Sequence, residues 1–207
     1  MRIGIGVTTF LRPDCLAKCI ESIHKHTDMT NVTLHIADDS IERKGVAYRK
    51  NECLRALKDC DYVFLFDDDC YPIKDNWIDF FYIPNTRDFH WLFLNDKLHT
   101  YLGGNTYKEC GGVFMFLTKE MVSTVGAFNE GFETWGFEHA EYSQRVYKSG
   151  FNKQPYMCLQ GTENYLYSED YSNPNHKSSI TNEEKNELFK INFPKFAKGI
   201  ENIYIPL

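Results

Sequence analysis

The chain has 207 residues and a formal net charge of -6, from 23 Lys and Arg against 29 Asp and Glu. Hydrophobic residues make up 43% and aromatics 15%. That supplies a sizeable core and excludes a chain disordered over most of its length. The acidic balance disfavours a protein that coats nucleic acid, and no apolar run approaches the roughly 18–20 residues of a membrane span.

The length predicts one domain, 1–207. Met1–Val7 lacks the pattern of a secretory leader and reads as the first strand, so the expected location is cytoplasmic. The seven cysteines include no Cys-x-x-Cys pair, and reduced thiols are expected.

In chain order, Ile3–Thr8 is an apolar run ending in small polar residues. Pro13 suits the first turn of a helix, and Leu16, Cys19, Ile20 and Ile23 recur at helical spacing, predicting a helix over 13–26. Val32–Ala37 is β-branched and apolar, a second strand that stops at the turn-forming Asp38, Asp39 and Ser40. Val46, Cys53, Leu54 and Leu57 predict a helix over 44–58. Tyr62–Phe66 reads as a strand buried on both faces and ends at Asp67, Asp68 and Asp69. Further strands are expected at 91–94 and 112–117. Thr118 should cap a short helix that Gly126 closes. A helix is expected over 138–148, a polar loop over 160–180, and a charged helix over 181–191.

This β-α-β-α-β order predicts an α/β fold with a Rossmann-like, mostly parallel central sheet flanked by helices. Ligands of such sheets bind beyond the carboxyl ends of the strands. Three polar clusters arrive there: Thr8-Thr9-Phe10, Asp38-Asp39-Ser40 and Asp67-Asp68-Asp69. Side chains alternate along a strand, so Asp67 and Asp69 can face one way and Asp68 the other. Adjacent carboxylates repel, and a hard dication, Mn²⁺ or Mg²⁺, relieves that while also binding phosphate oxygens.

These motifs together resemble the inverting GT-A-fold glycosyltransferases, which transfer sugars from nucleotide-sugars. Val7 to Arg12 is similar to that family's first strand and nucleotide-binding loop, which implies donor contacts from Thr8, Thr9, Phe10 and Arg12. Ala37-Asp38-Asp39-Ser40 resembles its Asp-Asp-Gly-Ser turn, so Asp38 or Asp39 would read the base or ribose. Lys50-Asn51 lies in a segment similar to its helix near the diphosphate, which implies a donor contact from Lys50. Phe66-Asp67-Asp68-Asp69 resembles its Asp-x-Asp motif. That resemblance puts Asp67 and Asp69 on the metal, and Asp67 and Asp68 beside the nucleotide.

Gly111 to Phe116 and Val125 to Glu130 are similar to the family's acceptor-side strand and loop, and the resemblance also places Gly112 among the expected nucleotide-sugar-binding residues. Trp135 to Arg145 resembles the Trp-Gly-Gly-Glu-Asp signature of β-1,4-galactosyltransferase-like enzymes, with Trp135 as an aromatic wall. His139 departs from it, standing where the family has the Asp that implies the catalytic base. An imidazole and a carboxylate can each take the acceptor's proton, so Glu138 and His139 are both candidate bases. Glu141 and Arg145, at i and i+4, are expected to form a structural ion pair. His176, in a polar loop after that helix, is the candidate third metal ligand.

The resemblance implies a nucleotide-binding half over about 1–95, an acceptor half over 96–180 and a tail over 181–207. It implies a UDP-sugar donor and a glycan or lipid-linked glycan acceptor. A hydroxylated nucleobase in DNA is the alternative acceptor, and a non-catalytic nucleotide-sugar or glycan-binding module the alternative function. The tail alternates Phe189, Ile191, Phe193 and Phe196 with lysines. It either packs on the core or rests on an anionic membrane surface.

Overall fold

The computed structural model describes residues 1–82, 90–94 and 99–207. The expected boundary between the two halves, near 95–96, lies outside the described residues.

The first half follows the expected alternation. Strand β1 (Ile3–Thr9) leads to α1 (Pro13–His26), β2 (Val32–Asp38), α2 (Val46–Ala56) and β3 (Tyr62–Asp67). Next come β4 (Cys70–Pro72), α3 (Trp77–Phe81), β5 (Trp91–Phe93), a small hairpin of β6 (Tyr101–Gly103) and β7 (Thr106–Tyr107), and β8 (Gly111–Thr118). The chain continues through α4 (Lys119–Val125), α5 (Glu138–Lys148), β9 (Leu166–Ser168), α6 (Glu169–Ser172) and α7 (Asn182–Ala197).

The central sheet has the order β2-β1-β3-β8-β5. β1 pairs in parallel with both β2 and β3, whereas β8 runs antiparallel to β3 and to β5. The sheet is therefore mixed, parallel only where crossover helices join its strands.

Alternation along the strands builds a core on each face of the sheet. Ile5, Phe64 and Phe116 lie in register on one face, packed with Trp77 and Phe81. Leu65 and Met115 lie on the other, with Cys53 and Leu54 of α2 and Leu57 just past its end. Gly6 lets α2 approach closely, since a Cβ there would sit 2.7 Å from Cys53 Cβ. The Thr118 hydroxyl accepts the Met121 amide, so α4 starts where the sequence indicates. All seven cysteines are free thiols.

Two expectations change. The segment 160–180 is not a plain loop: β9 pairs antiparallel with β4, with Ser168 opposite Cys70. The charged helix expected over 181–191 does not stop there, because α7 runs on through Pro194 to Ala197. Its Phe189, Phe193 and Phe196 rings pack on Phe137 at centroid distances of 5.4, 5.9 and 5.1 Å. That contact carries the packing alternative, and the aromatic residues serve the fold. Among the described residues no helix is long and apolar enough to cross a membrane.

Candidate active site

A cleft opens over the carboxyl ends of β1, β2 and β3, enclosing about 730 Å³ of empty space, mouth included. Its lining includes Thr8, Thr9, Phe10, Arg12, Asp39, Asp67, Asp69 and Trp135 from the sequence-predicted set. It also includes Arg49, Asp170, Ile180 and Lys185, which sequence reasoning did not single out.

The acidic triplet divides as strand alternation requires. Asp68 turns inward, fully buried, and accepts the Thr9 hydroxyl at 2.5 Å while pairing with Arg12. It does not face the cleft, so a direct nucleotide contact from Asp68 is corrected to support of the β1 loop. Burial pushes its carboxyl up to about 7, against the pull of Arg12 and Thr9. Asp67 faces the cleft, takes the Thr8 hydroxyl at 2.9 Å and lies 3.5 Å from Lys50 Nζ.

Asp69 is nearly buried, with one carboxylate oxygen 2.5 Å from Arg12 Nη1 and 3.3 Å from His176 Nε2. Its other oxygen, Oδ1, is buried and has no hydrogen-bond partner among the described residues. Burial raises this carboxyl to about 6, Arg12 pulls it back, and Asp170 and Asp67 add like charge. An orphaned carboxylate oxygen in such a place is costly unless a ligand fills its valence.

Asp69, Asp170 and His176 can each offer one ligand atom, all within 4.8 Å of one another. Two carboxylates and an imidazole suit Mn²⁺; Arg12 Nη1 lies 2.5 Å from Asp69 Oδ2 and 3.2 Å from His176 Nε2, so the donor set fits a divalent cation once that guanidinium moves aside. The sequence anticipates Asp69 and His176 but misses Asp170. Asp67 stands outside this trio, facing Lys50 instead. The β4–β9 register creates the trio: with Ser168 opposite Cys70, the Glu169 amide donates to Asp69 O at 2.8 Å and Asp170 follows beside it. Glu169 fixes that segment by accepting Lys18 at 2.5 Å, Tyr71 at 2.9 Å and Asn173 at 2.9 Å.

Of the two turn acids, Asp39 lines the cleft and Asp38 is exposed outside it. Asp39 accepts the amides of Lys44 and Gly45 at 2.7 and 2.8 Å and pairs with Arg49 at 2.9 Å. Those bonds order the loop into α2. Asp38 accepts the Ser40 amide, and hydrogen bonds from Ser40 hold it below the usual carboxylate range.

Beside the start of α5, Lys50 is buried and reaches Gly112 O at 3.0 Å and Glu138 at 4.0 Å. Lys50 and Gly112 line no part of the cleft; they join its floor to the start of α5. Gly112 is required there because a Cβ would fall 2.5 Å from His139 Cγ. Glu138 accepts the Gly136 amide at 2.9 Å and lies 3.3 Å from His139 Nδ1. Burial alone would raise the Glu138 carboxyl, but the hydrogen bond and charge of His139, aided by Lys50, lower it to about 2. Burial alone would lower His139, but Cys110 and Glu138 outweigh it and raise the imidazole to about 10. The two candidate bases are thus partners in one ion pair. Glu141 and Arg145 form the expected structural pair at 2.9 Å, with Arg145 fully buried.

Trp135 is held by α7. Asn192, fully buried, donates through Nδ2 to the carbonyls of Phe132 and Trp135 at 2.5 and 2.8 Å. Phe137 takes a left-handed conformation, φ 72°, inside the α7 phenylalanine cluster. This locks the turn that delivers Glu138.

With this geometry in place, comparison with known proteins gives a consistent picture. Residues 94–170 match the family described as the N-terminal domain of galactosyltransferase. An uncharacterized glycosyltransferase of Acanthamoeba polyphaga mimivirus is 30% identical over 120 residues, 51% of this chain and 46% of that protein. The match thus spans about half the length of the curated relative. Among solved structures, the catalytic domain of Drosophila β-1,4-galactosyltransferase 7 with xylobiose aligns over 91% of this chain and 79% of its own, at 18% identity and TM-score 0.57. A mutant of that enzyme is described in complex with manganese, UDP-Gal and xylobiose, and aligns at 15% identity and TM-score 0.55, over 89% of this chain and 79% of its own. A mannosyltransferase from Pyrobaculum calidifontis, in complex with GDP-Man and Mn²⁺, aligns over 78% of this chain and 55% of its own, at 12% identity and TM-score 0.57.

Proposed function

We propose that this chain, whose fold is that of the GT-A glycosyltransferases, is a metal-dependent glycosyltransferase acting with inversion. It moves a sugar from a nucleotide-diphosphate sugar, a UDP-sugar first among them, to a hydroxyl of a glycan or lipid-linked glycan. The carrying observation is the convergence of Asp69, Asp170 and His176 at the edge of the cleft, where Asp69 also keeps a buried oxygen with no hydrogen-bond partner among the described residues. The manganese and UDP-Gal bound by the Drosophila enzyme's mutant support the same reading here.

Asp69, Asp170 and His176 would hold the cation, with Asp67 beside it facing Lys50. A divalent cation, when bound, neutralises charge on the diphosphate as it departs. The chain's own groups do the rest. Phe10 and Asp39 bound the nucleoside end of the cleft, and Trp135 walls the sugar end. The acceptor oxygen attacks the anomeric carbon, the bond from that carbon to the diphosphate oxygen breaks, and the hydroxyl proton passes to Glu138. Glu138 is assigned as base because it is the member of the pair with free lone pairs at neutral pH; His139, protonated, orients it. The acidic net charge and the acidic cleft favour a glycan over DNA.

The test is transfer from a panel of UDP- and GDP-sugars to oligosaccharide acceptors with Mn²⁺, followed by NMR of the product linkage. The expected result is chelator-sensitive transfer with inverted anomeric configuration. Retained configuration, or transfer undiminished by chelator, would overturn the mechanism.

A further inference from the structure

Three cationic side chains line the cleft: Arg12, Arg49 and Lys185. Two are already committed. Arg12 pairs with Asp68 and Asp69. Arg49 pairs with Asp39 at 2.9 Å, Glu52 at 2.7 Å and Glu42 at 3.3 Å. Lys185 differs. Among the described residues no carboxylate lies in ion-pair range of it, and its Nζ sits over the Trp135 ring at 5.6 Å from the centroid. A cation parked on an aromatic face keeps its charge available to an anion, whereas one paired with a carboxylate does not.

The cleft also presents four carboxylates, Asp39, Asp67, Asp69 and Asp170. A nucleoside diphosphate entering this field requires positive charge that is not already spent. Lys185 is delivered by the first turns of α7, which Thr181 caps through the Glu184 amide. The same helix is anchored below by Asn192 and the phenylalanine cluster, so the ammonium projects from a fixed support at the cleft mouth.

We propose that Lys185 is a diphosphate-binding residue of the donor site, supplied by the C-terminal helix and held ready against Trp135. Lys185 turns from the ring to the phosphate oxygens when the nucleotide enters, making a charge-assisted contact that also stabilises the departing diphosphate. This rests on the donor reading above, and it adds a contact that the β1–β3 edge does not provide.

The experiment is calorimetric titration of wild type, Lys185→Gln and Lys185→Arg with UDP, GDP, uridine and guanosine in Mn²⁺, at low and moderate salt. Hydrogen bonds to charged groups predict a loss of about ten- to hundredfold in diphosphate affinity for Lys185→Gln. Lys185→Arg should stay within about threefold, since the charge is kept. Binding of the matching nucleoside should be unchanged, and the salt dependence of diphosphate binding should flatten in Lys185→Gln. Equal diphosphate affinity in wild type and Lys185→Gln would overturn the proposal. So would equal losses for diphosphate and nucleoside, which would reduce Lys185 to packing on Trp135. If wild type binds neither diphosphate, the donor reading itself falls and this proposal with it.

Discussion

Replacing Asn192 with alanine isolates the link between the C-terminal helix and the turn that carries Trp135 and Glu138. Asn192 is fully buried, and its amide is the donor to the carbonyls of Phe132 and Trp135. Truncation leaves both acceptors without that partner. The Phe132 carbonyl bond is buried and takes the full cost of an unmade hydrogen bond, while the Trp135 carbonyl is part-buried and recovers some of it from water. At ~1–3 kcal/mol per orphaned buried group, the sum is about 2–4 kcal/mol. In urea that corresponds to a midpoint about 1 M lower with an unchanged slope. The same change frees the turn carrying Trp135 and Glu138, so donor affinity falls along with stability. Urea denaturation by fluorescence, paired with nucleotide titration under native conditions, measures both. A midpoint within about 0.2 M of wild type, with donor affinity intact, would refute the claim that α7 holds the active-site turn.

Three further predictions concern the Glu138–His139 pair. Glu138→Gln should lower the transfer rate by on the order of 10²–10⁴-fold while donor binding survives. With Glu138 ionised from about pH 2 upward and His139 protonated to about pH 10, the wild-type rate should show no inflection from this pair near neutrality. A log-linear rise toward pH 10 would instead make neutral His139 the base. For stability, the His139 pKa is raised on folding, so its contribution is complete below the unfolded value near 6.5 and is lost as pH rises toward about 10. His139→Asn should therefore be less stable than wild type at pH 6, with the gap closing by pH 10; a gap independent of pH would contradict the ion pair.

Much of the fold is legible locally because local physics decides it. The run Tyr62–Phe66, the Thr118 cap and the Pro13 start of α1 need no distant partner to be read. Asp170 carries no such signal. Its place beside Asp69 follows from pairing two three-residue strands, Cys70–Pro72 and Leu166–Ser168, far apart in sequence. The tail shows how two periods compete: Phe189, Ile191 and Phe193 alternate like a strand, yet Phe189, Phe193 and Phe196 also fall one and two helical turns apart. Phe137 decides between them, because only the helical spacing puts all three rings on it. Glu138 and His139 read in sequence as rival bases because adjacency gives no protonation state. Their mutual hydrogen bond, with Lys50 acting on Glu138 and Cys110 on His139, outweighs burial and makes them a charged pair.

The central claim is that Asp69, Asp170 and His176 form the metal end of a nucleotide-sugar site, and calorimetric titration with UDP and GDP tests it most directly. Measured in Mn²⁺, in chelator, and with Asp69→Ala in Mn²⁺, the account predicts binding of one nucleotide that disappears with chelator and in the variant. Binding that is indifferent to Mn²⁺ and to Asp69, or no binding by the folded wild type, would contradict it.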